Sequence, residues 1–561
     1  VRIRRLSRTY RNIKRYREIL TVLLRYGFDD VLDRLKFDYY INLGKKIFPI
    51  FKSHELVTIT TAERLRMAME ELGPTFVKLG QMLSMRPDLV PESFTDEFKK
   101  LQDKVPPFPS KQAMGIVEAQ LGKPMEQLFS SFDENPLAAA SIAQVHRAVT
   151  KSNERVVVKI QRPDIRGVIE TDLGILFDLA GLVEKYIPES ELYDPKAIVR
   201  EFAKSIRMEM DFVREGRNID RFRRNFEDDD TVFVPRVHWK LTTGNILTMD
   251  FIDGIKVSEL DALEKAGLDR KIIAYNGARA TLRQIFDFGF FHADPHPGNI
   301  FVLPGNVIAP VDYGMMGSLD EELMEATGSL LTAIVKKDVN RIIRTLTDMG
   351  VIENMLDARE LKLDLKDFLD RYYQVPLSQL DLGRVLSEIT EVIRRHRIKL
   401  QSDLILMGKA LVTEEGVGRM LDPDFDIITM ARPYVEKLMI RKLDPRRHLR
   451  EFIDSLNDFV RLVKILPGEF GTILAKIKKG ELNIKFEHRG LERLTLELDK
   501  ASNRLSFSMI IAALIIGSSL IVQLKKGPQI FDLPVFGILG YFVAAILGLW
   551  LVIAIIRSGR L

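Results

Sequence analysis

Cysteine is absent from the 561 residues. That excludes disulfides, thiolate metal sites and cysteine nucleophiles, and it suits a reducing compartment. A large charge imbalance is lacking too. The formal net charge is +5 from 83 basic and 78 acidic residues, which does not indicate nucleic-acid binding. No internal repeat or long low-complexity segment stands out. No continuous apolar run follows the basic N-terminal cluster before Arg25, so that cluster does not read as a secretory signal. The length allows roughly three or four structural units, ample for a two-lobed core.

What is present centres on His292 to Gly314. The segment reads His292-Ala293-Asp294-Pro295-His296-Pro297-Gly298-Asn299, then an apolar stretch, then Val311-Asp312-Tyr313-Gly314. An Asp followed by an Asn, and then by Asp-aromatic-Gly after a short hairpin, matches the metal and phosphate apparatus of a kinase-like fold. Either part alone is an ordinary turn; in order and at this spacing they point to one site. Ile300–Leu303 and Val307–Val311 predict two short strands around the turn signal Pro304-Gly305-Asn306. Asn299 and Asp312 are the candidate metal ligands. A small set of hard oxygen ligands suits Mg²⁺, which keeps water and takes the rest from phosphate. Asp294 is the candidate base or acceptor-orienting group. His292 reads as structural, and His296 as a neighbour of Asp294 without an assigned role.

Upstream, Arg155-Val156-Val157-Val158-Lys159-Ile160 is an apolar strand carrying one lysine. A lysine within a buried strand is costly unless an anion meets it, and nucleotide phosphate and a helix Glu are both available anions. Asp194 to Asn218 reads as one helix, carrying Glu201, Glu209, Asp211 and Glu215. Before the strand, Ala138-Ala139-Ala140-Ser141 occupies the place of a glycine-rich phosphate loop. Each Cβ there restricts both the backbone and the approach of its N–H groups to phosphate, so nucleotide is expected in an altered pose.

With these residues in place, the chain resembles the UbiB family of atypical kinases, also called ABC1 or ADCK, over roughly residues 60 to 317. The most specific signature is Lys78-Leu79-Gly80-Gln81, the family's KxGQ motif; Glu209-Met210-Asp211 matches its ExD motif. The resemblance implies a helical extension lying over the active site, with Lys78 reaching Glu209 and Asp211. It also implies that Lys159 contacts the α/β-phosphates, oriented by Glu215. ATP and Mg²⁺ are the implied cofactors, and phosphorylation of a protein in trans is not expected. The implied process is ubiquinone or related isoprenoid-quinone biosynthesis, with polyprenyl precursors and membrane lipids as partners, and biosynthetic enzymes as further ones.

The N-terminus is basic, with Arg2, Arg4, Arg5, Arg8, Arg11, Lys14, Arg15 and Arg17 alternating with apolar residues. It reads either as an amphipathic helix on anionic lipid, at about 1 kcal/mol per basic residue near the surface, or as a solvated arm. Near the other end, 505–524 and 535–556 each reach the roughly 20 apolar residues needed to cross a bilayer. They predict a transmembrane hairpin. Arg489, Arg493, Lys500, Arg504, Arg557 and Arg560 flank its outer ends against Lys525 and Lys526 in the turn. The positive-inside tendency then puts the turn outside and both termini, with the catalytic region, in the cytoplasm. The C-terminal end resembles the family's bacterial branch, which implies the bacterial inner membrane. Small residues at Gly517, Ser518, Gly537 and Gly540 allow close helix approach, between the spans or between two subunits of a homodimer.

The expected fold is therefore α+β: a protein-kinase-like, two-lobed fold with a helical KxGQ extension and a C-terminal transmembrane helical hairpin. The expected organisation is a basic helical region (1–55), the extension (56–135), a small lobe (136–253), a large lobe (254–455), a helical linker (456–504) and the hairpin (505–556). Adenine is expected near Met249 to Phe251. The expected activity is ATP-dependent handling of a polyprenyl lipid. The alternatives are a small-molecule or lipid phosphotransferase, or a nucleotide-stabilised scaffold.

Overall fold

The structure, a computed structural model, describes residues 2–34, 59–84, 86, 89–101, 105–187, 194–336, 338–351, 358–372, 382–396, 398, 401–442, 478, 491–524, 528–530 and 533–557. It divides into two units, Val1–Asp444 and Pro445–Leu561, each considered by itself.

The first unit is built on an antiparallel sheet of β1 (Phe129–Phe132), β2 (Ala138–Ala139), β3 (Ala143–Thr150), β4 (Arg155–Gln161) and β5 (Ile246–Asp250). The order is β1-β3-β4-β5, with β2 paired to β3. Strand alternation sorts the β4 side chains. Val156, Val158 and Ile160 face a core that includes Val117, Phe129 and Ile246. Val157 joins the opposite core with Phe212, Leu247 and Met249. Lys159, two positions on from Val157, shares that second face. This sheet face looks onto the site.

The segment expected to be one helix from Asp194 to Asn218 is two, Pro195–Glu209 and Phe212–Asn225. The break has a local cause. Asp211 adopts extended backbone, and its carboxylate accepts the Arg214 N–H, so it starts a new helix instead of continuing the old one. The Ala-rich run is likewise more ordered than a loop. Ala138 pairs with Val145 and Ala139 with Gln144 across a tight hairpin, closed by Ala140 N–H donating to Ala143 O at 2.8 Å.

The helical extension begins with a capped helix, Thr61–Leu72, where Thr60 Oγ1 accepts the Glu63 N–H. The KxGQ helix follows, Pro74–Ser84, with proline at its first position. Gly80 lets this helix pack closely: a Cβ there would lie 2.2 Å from Leu101 Cδ1 and 2.9 Å from Met69 Sδ. The N-terminal helix, Arg2–Arg25, does not keep its apolar face free for lipid over its C-terminal half. Ile19 and Val22 are buried in one core with Phe76, Leu79 and Ile169. Arg15 Nε donates to Asp172 Oδ1 at 2.7 Å. Sequence periodicity could not tell a lipid-facing stripe from one that packs on protein. The rest of the expected 1–55 region, 35–55, lies outside the described residues.

Below the sheet, a buried helix, Arg270–Phe286, forms the axis of the large lobe. Two short strands flank it in the chain, β6 (Ile255–Lys256) before it and β7 (Phe290–His292) after it. Packed against the axial helix are the helices Ser402–Leu421 and Ile427–Lys442, and the hairpin of β8 (Ile300–Leu303) and β9 (Val307–Pro310), with β6 paired to β8. The hairpin turn is as the sequence predicts, with positive φ at Gly305 and Asn306. Asn306 Oδ1 accepts the Asp269 N–H at 2.8 Å and fixes the turn to the start of the axial helix.

The second unit contains two long helices, Leu491–Leu524 and Val535–Arg557. The first begins inside the expected linker, whose residues 456–477 and 479–490 lie outside the described residues. Ser502–Leu524 and Val535–Val552 are long and apolar enough to cross a membrane. Ile516, Leu520, Phe536, Phe542 and Leu549 are exposed on this unit. The small residues serve contact between the two helices. A Cβ at Gly540 would lie 2.0 Å from Ser518 Oγ, and one at Gly537 would lie 2.5 Å from Val522 Cγ2. Ser519 and Tyr541 hydroxyls share a hydrogen bond of 2.8 Å.

Candidate functional site

Lys159 leaves β4 and meets Glu215 from the facing helix. Its Nζ donates to both carboxylate oxygens, at 2.8 and 2.9 Å. Glu215 is 3% exposed and sits in the first turn of Phe212–Asn225, where the helix dipole favours a carboxylate. Burial pulls the Lys159 pKa down, but Glu215 and then Asp312 outweigh it, and the amine is held well above its ordinary range. Burial pushes Glu215 up, with Lys159 pulling against it.

Asp312 lies just beyond β9, with Oδ1 4.0 Å from Lys159 Nζ. Burial would raise its pKa; Lys159, the Gly314 N–H, His292 and Lys78 together bring it below the usual carboxylate value. The Gly314 N–H donates to Oδ1 at 3.1 Å. Tyr313, fully buried, anchors the segment: its hydroxyl donates to Pro310 O, and its carbonyl accepts from Asn218 Nδ2 at 3.0 Å. Asn218 is one turn beyond Glu215 on the same helix, so the lysine's partner and the Asp312 segment are fixed by one element.

Asn299 and Asp312 are delivered by the two ends of the β8–β9 hairpin. The Val311 N–H donates to the Asn299 carbonyl at 3.0 Å, so the segments carrying Asn299 and Asp312 are bound to each other at the backbone. Asp294 stands on the loop between β7 (Phe290–His292) and a single 3₁₀ turn, Pro297–Asn299. Its N–H donates to His292 Nδ1 at 3.1 Å. His292 is buried, burial lowers its pKa, and its Nε2 has no hydrogen-bond partner among the described residues. His296 Nδ1 accepts the Gly298 N–H at 3.1 Å, a loop-shaping contact.

The remaining sequence-predicted residues divide. Lys78 Nζ lies 2.5 Å from Glu209 Oε1. Asp211, the other acid of the motif, accepts the Arg214 N–H at its Oδ1 and caps the Glu215 helix. Gln81 Nε2 donates to Leu101 O at 3.2 Å, a contact within the extension. Ala138 to Ala140 form the β2 turn, and Ser141 is buried with no hydrogen-bond partner for its hydroxyl among the described residues. At the expected hinge, Met249 is buried in the sheet core. The Phe251 N–H already donates to Arg155 O at 3.0 Å, so it is not free for adenine; its ring is flanked by Arg147 and Arg155.

Two groups were missed from sequence. Arg162 Nε donates to Ala140 O at 2.8 Å and holds the Ala turn from behind. Lys409, on the helix Ser402–Leu421, lies 2.8 Å from Asp294 Oδ1. No local motif marks either one. Among the described residues no group of three or more His, Cys, Asp or Glu could hold a metal. The oxygen set is one carboxylate and one amide, Asp312 and Asn299. That set is thin for a transition metal or a protein-caged ion, and fits Mg²⁺ completed by phosphate and water.

The ABC1 atypical kinase-like domain matches residues 100–346, the UbiB helical domain 365–426 and the ABC1/UbiB kinase-like C-terminal domain 489–557. A probable protein kinase UbiB from Marinobacter nauticus is 34% identical, over 85% of this chain and 88% of its own length. The chain belongs to the UbiB/ABC1 family of atypical kinases. A second UbiB relative, from Xylella fastidiosa strain M12, is 35% identical over 94% of this chain and 96% of its own length. A solved structure described as the Rv3197–erythromycin complex from Mycobacterium tuberculosis shares 24% identity. It covers 62% of this chain and 94% of that one, with a TM-score of 0.41. The UbiB helical domain contains Lys409, so the cation beside Asp294 comes from a region distinct from the ABC1 match.

Proposed function

We propose that this UbiB-family chain is a membrane-anchored, Mg²⁺-dependent ATP-binding atypical kinase or ATPase. It supports ubiquinone or related isoprenoid-quinone biosynthesis by ATP-driven handling of polyprenyl precursors at the bilayer. The observation that carries the reading is the doubly hydrogen-bonded Lys159–Glu215 pair with Asp312 at 4.0 Å. A lysine needed only to neutralise Glu215 would not require a second carboxylate beside it and an amide oxygen on the adjoining segment. Bound MgATP would supply the transferable phosphoryl group.

Within that reading each residue has a physical task. Lys159 presents a fixed positive charge for the α/β-phosphates, and Glu215 prevents it from swinging away. Asn299 and Asp312 would hold Mg²⁺. Asp294 orients the acceptor, water or a hydroxyl, and takes up its proton at a carboxylate oxygen. The Lys78–Glu209 contact ties the KxGQ helix to the end of the helix before the Asp211 break, and Lys78 is near enough to lower the Asp312 pKa. That placement favours a covered groove and disfavours a docked protein substrate. A second reading, phosphoryl transfer to a small molecule or lipid, draws on the partly exposed Asp294, whose side chain is 39% accessible.

The test is ATP turnover by the purified full-length chain with Mg²⁺, in liposomes with and without a soluble quinone-precursor headgroup. The expected result is phosphate release that rises with membrane and headgroup and is lost in Asp312→Asn. A phosphorylated product without free phosphate selects the phosphotransferase. Tight nucleotide binding with no turnover selects the scaffold.

A further inference from the structure

The loop from His292 to Asn299 contains neither lysine nor arginine. A carboxylate at the acceptor end of a phosphoryl-transfer site stands close to other negative charge, and an unbalanced Asp294 would be repelled by it. The structure supplies the balancing charge from far downstream, as Lys409 at 2.8 Å. The side chains are 30% and 39% exposed, so the pair is only partly screened by water.

The helix that carries Lys409 is fastened on both sides of it. At its start, Ser402 Oγ donates to Glu201 Oε1 at 2.6 Å, and Asp403 Oδ1 accepts the Ser318 N–H at 3.1 Å. Glu201 also pairs with Arg86, just past the KxGQ helix, at 2.6 Å. Beyond Lys409, Glu414 Oε2 accepts from Thr281 Oγ1 of the axial helix at 3.0 Å. Gly277 makes room for this acid, since a Cβ there would lie 2.6 Å from Glu414 Oε1. Ser402 and Lys409 are seven residues apart, two helical turns, and so share a face. The lysine therefore projects from a braced helix toward the catalytic loop, and its charge also reaches His292 behind that loop.

We propose that Lys409 is a positioning residue for Asp294: from the UbiB helical domain it supplies the cation that the catalytic loop lacks and holds the Asp294 carboxylate as an oriented anion. This rests on the reading of Asp294 as the acceptor-orienting group. It makes the helical domain part of the active site, so movement of the Ser402–Leu421 helix changes turnover without changing the nucleotide-binding face around Lys159.

The experiment uses the full-length chain in liposomes and compares Lys409→Met, Lys409→Arg, Asp294→Asn and the Lys409→Met/Asp294→Asn double variant. Lys409→Met should lower kcat for ATP at least tenfold, with MgATP affinity and thermal midpoint close to the parent. Lys409→Arg should recover at least a third of parental kcat. In the Asp294→Asn background, adding Lys409→Met should change kcat less than twofold, because both act through one group. Parental kcat in Lys409→Met, a full second loss in the double variant, or affinity and midpoint falling in step with kcat would each overturn the proposal. A Lys409→Met chain that does not fold, with Lys409→Arg also no better than one tenth of parental kcat, overturns it as well. Asp312→Asn separates the two levels. Parental turnover there removes the site reading and this inference with it; lost turnover there, beside parental Lys409→Met, removes this inference alone.

Discussion

Two buried acids in the first unit meet opposite circumstances. Glu215 has Lys159 on both of its oxygens, whereas Glu414 has, among the described residues, one hydrogen bond, from Thr281, and no cation. Lys159→Met therefore leaves Glu215 as an uncompensated buried carboxyl, a change that typically costs roughly 3–5 kcal/mol. The expected outcome is a lower thermal midpoint together with loss of nucleotide binding, read by melting with and without MgATP. Glu414 behaves differently. Burial pushes its pKa up to about 7, so between the unfolded value near 4.5 and pH 7 the folded chain binds the extra proton. Stability then falls as pH rises through that window, by about 3 kcal/mol in all. Glu414→Gln keeps an acceptor for Thr281 and removes the titration. Its midpoint advantage over the parent should grow from pH 5 to pH 7.5 and then level off. A constant difference across that range would contradict the account. At this scale Lys159, Asp294, Asn299 and Asp312 are legible because each belongs to a short motif with fixed spacing. Lys409 is not, because a lone lysine on a helix carries no local sign of a partner so distant in sequence.

At the scale of elements, periodicity reads type well and boundaries poorly. The β8–β9 hairpin and the Lys159 strand follow directly from apolar runs and turn residues. The break after Glu209 does not, because helical spacing of Phe202, Ile206 and Met210 continues smoothly up to it. Only the capping chemistry of Asp211 explains it, and capping competes with simple continuation at any mid-helix Asp. The KxGQ helix offers a sharper test. Gly80→Ala puts a methyl into the space held by Leu101 and Met69, both buried. Overpacking of this kind costs about 1–3 kcal/mol. The variant should melt lower, and protease should cut the extension sooner, while the Lys159–Glu215 geometry is untouched. An unchanged midpoint would mean that Leu101 moves aside without penalty.

For the whole molecule, the two C-terminal helices are long and apolar enough to cross a membrane, which fits the proposed anchoring. The chain should resist alkaline carbonate extraction from membranes; release into the supernatant would contradict anchoring. Absence of cysteine makes orientation measurable with single substitutions. With the turn outside, Gln529→Cys should react with an impermeant thiol reagent added externally, and Ser402→Cys should react only after lysis. The reverse pattern would turn the hairpin over. The central claim is narrower than any of these: Asn299 and Asp312 join Lys159 in a single Mg²⁺-dependent nucleotide site. Calorimetric titration of ATP into the full-length chain, with Mg²⁺ and then with EDTA, tests it most directly. The account predicts at least a tenfold weaker affinity without Mg²⁺ in the parent, and little Mg²⁺ dependence left in Asp312→Asn. Equal affinity with and without Mg²⁺ in the parent would contradict it.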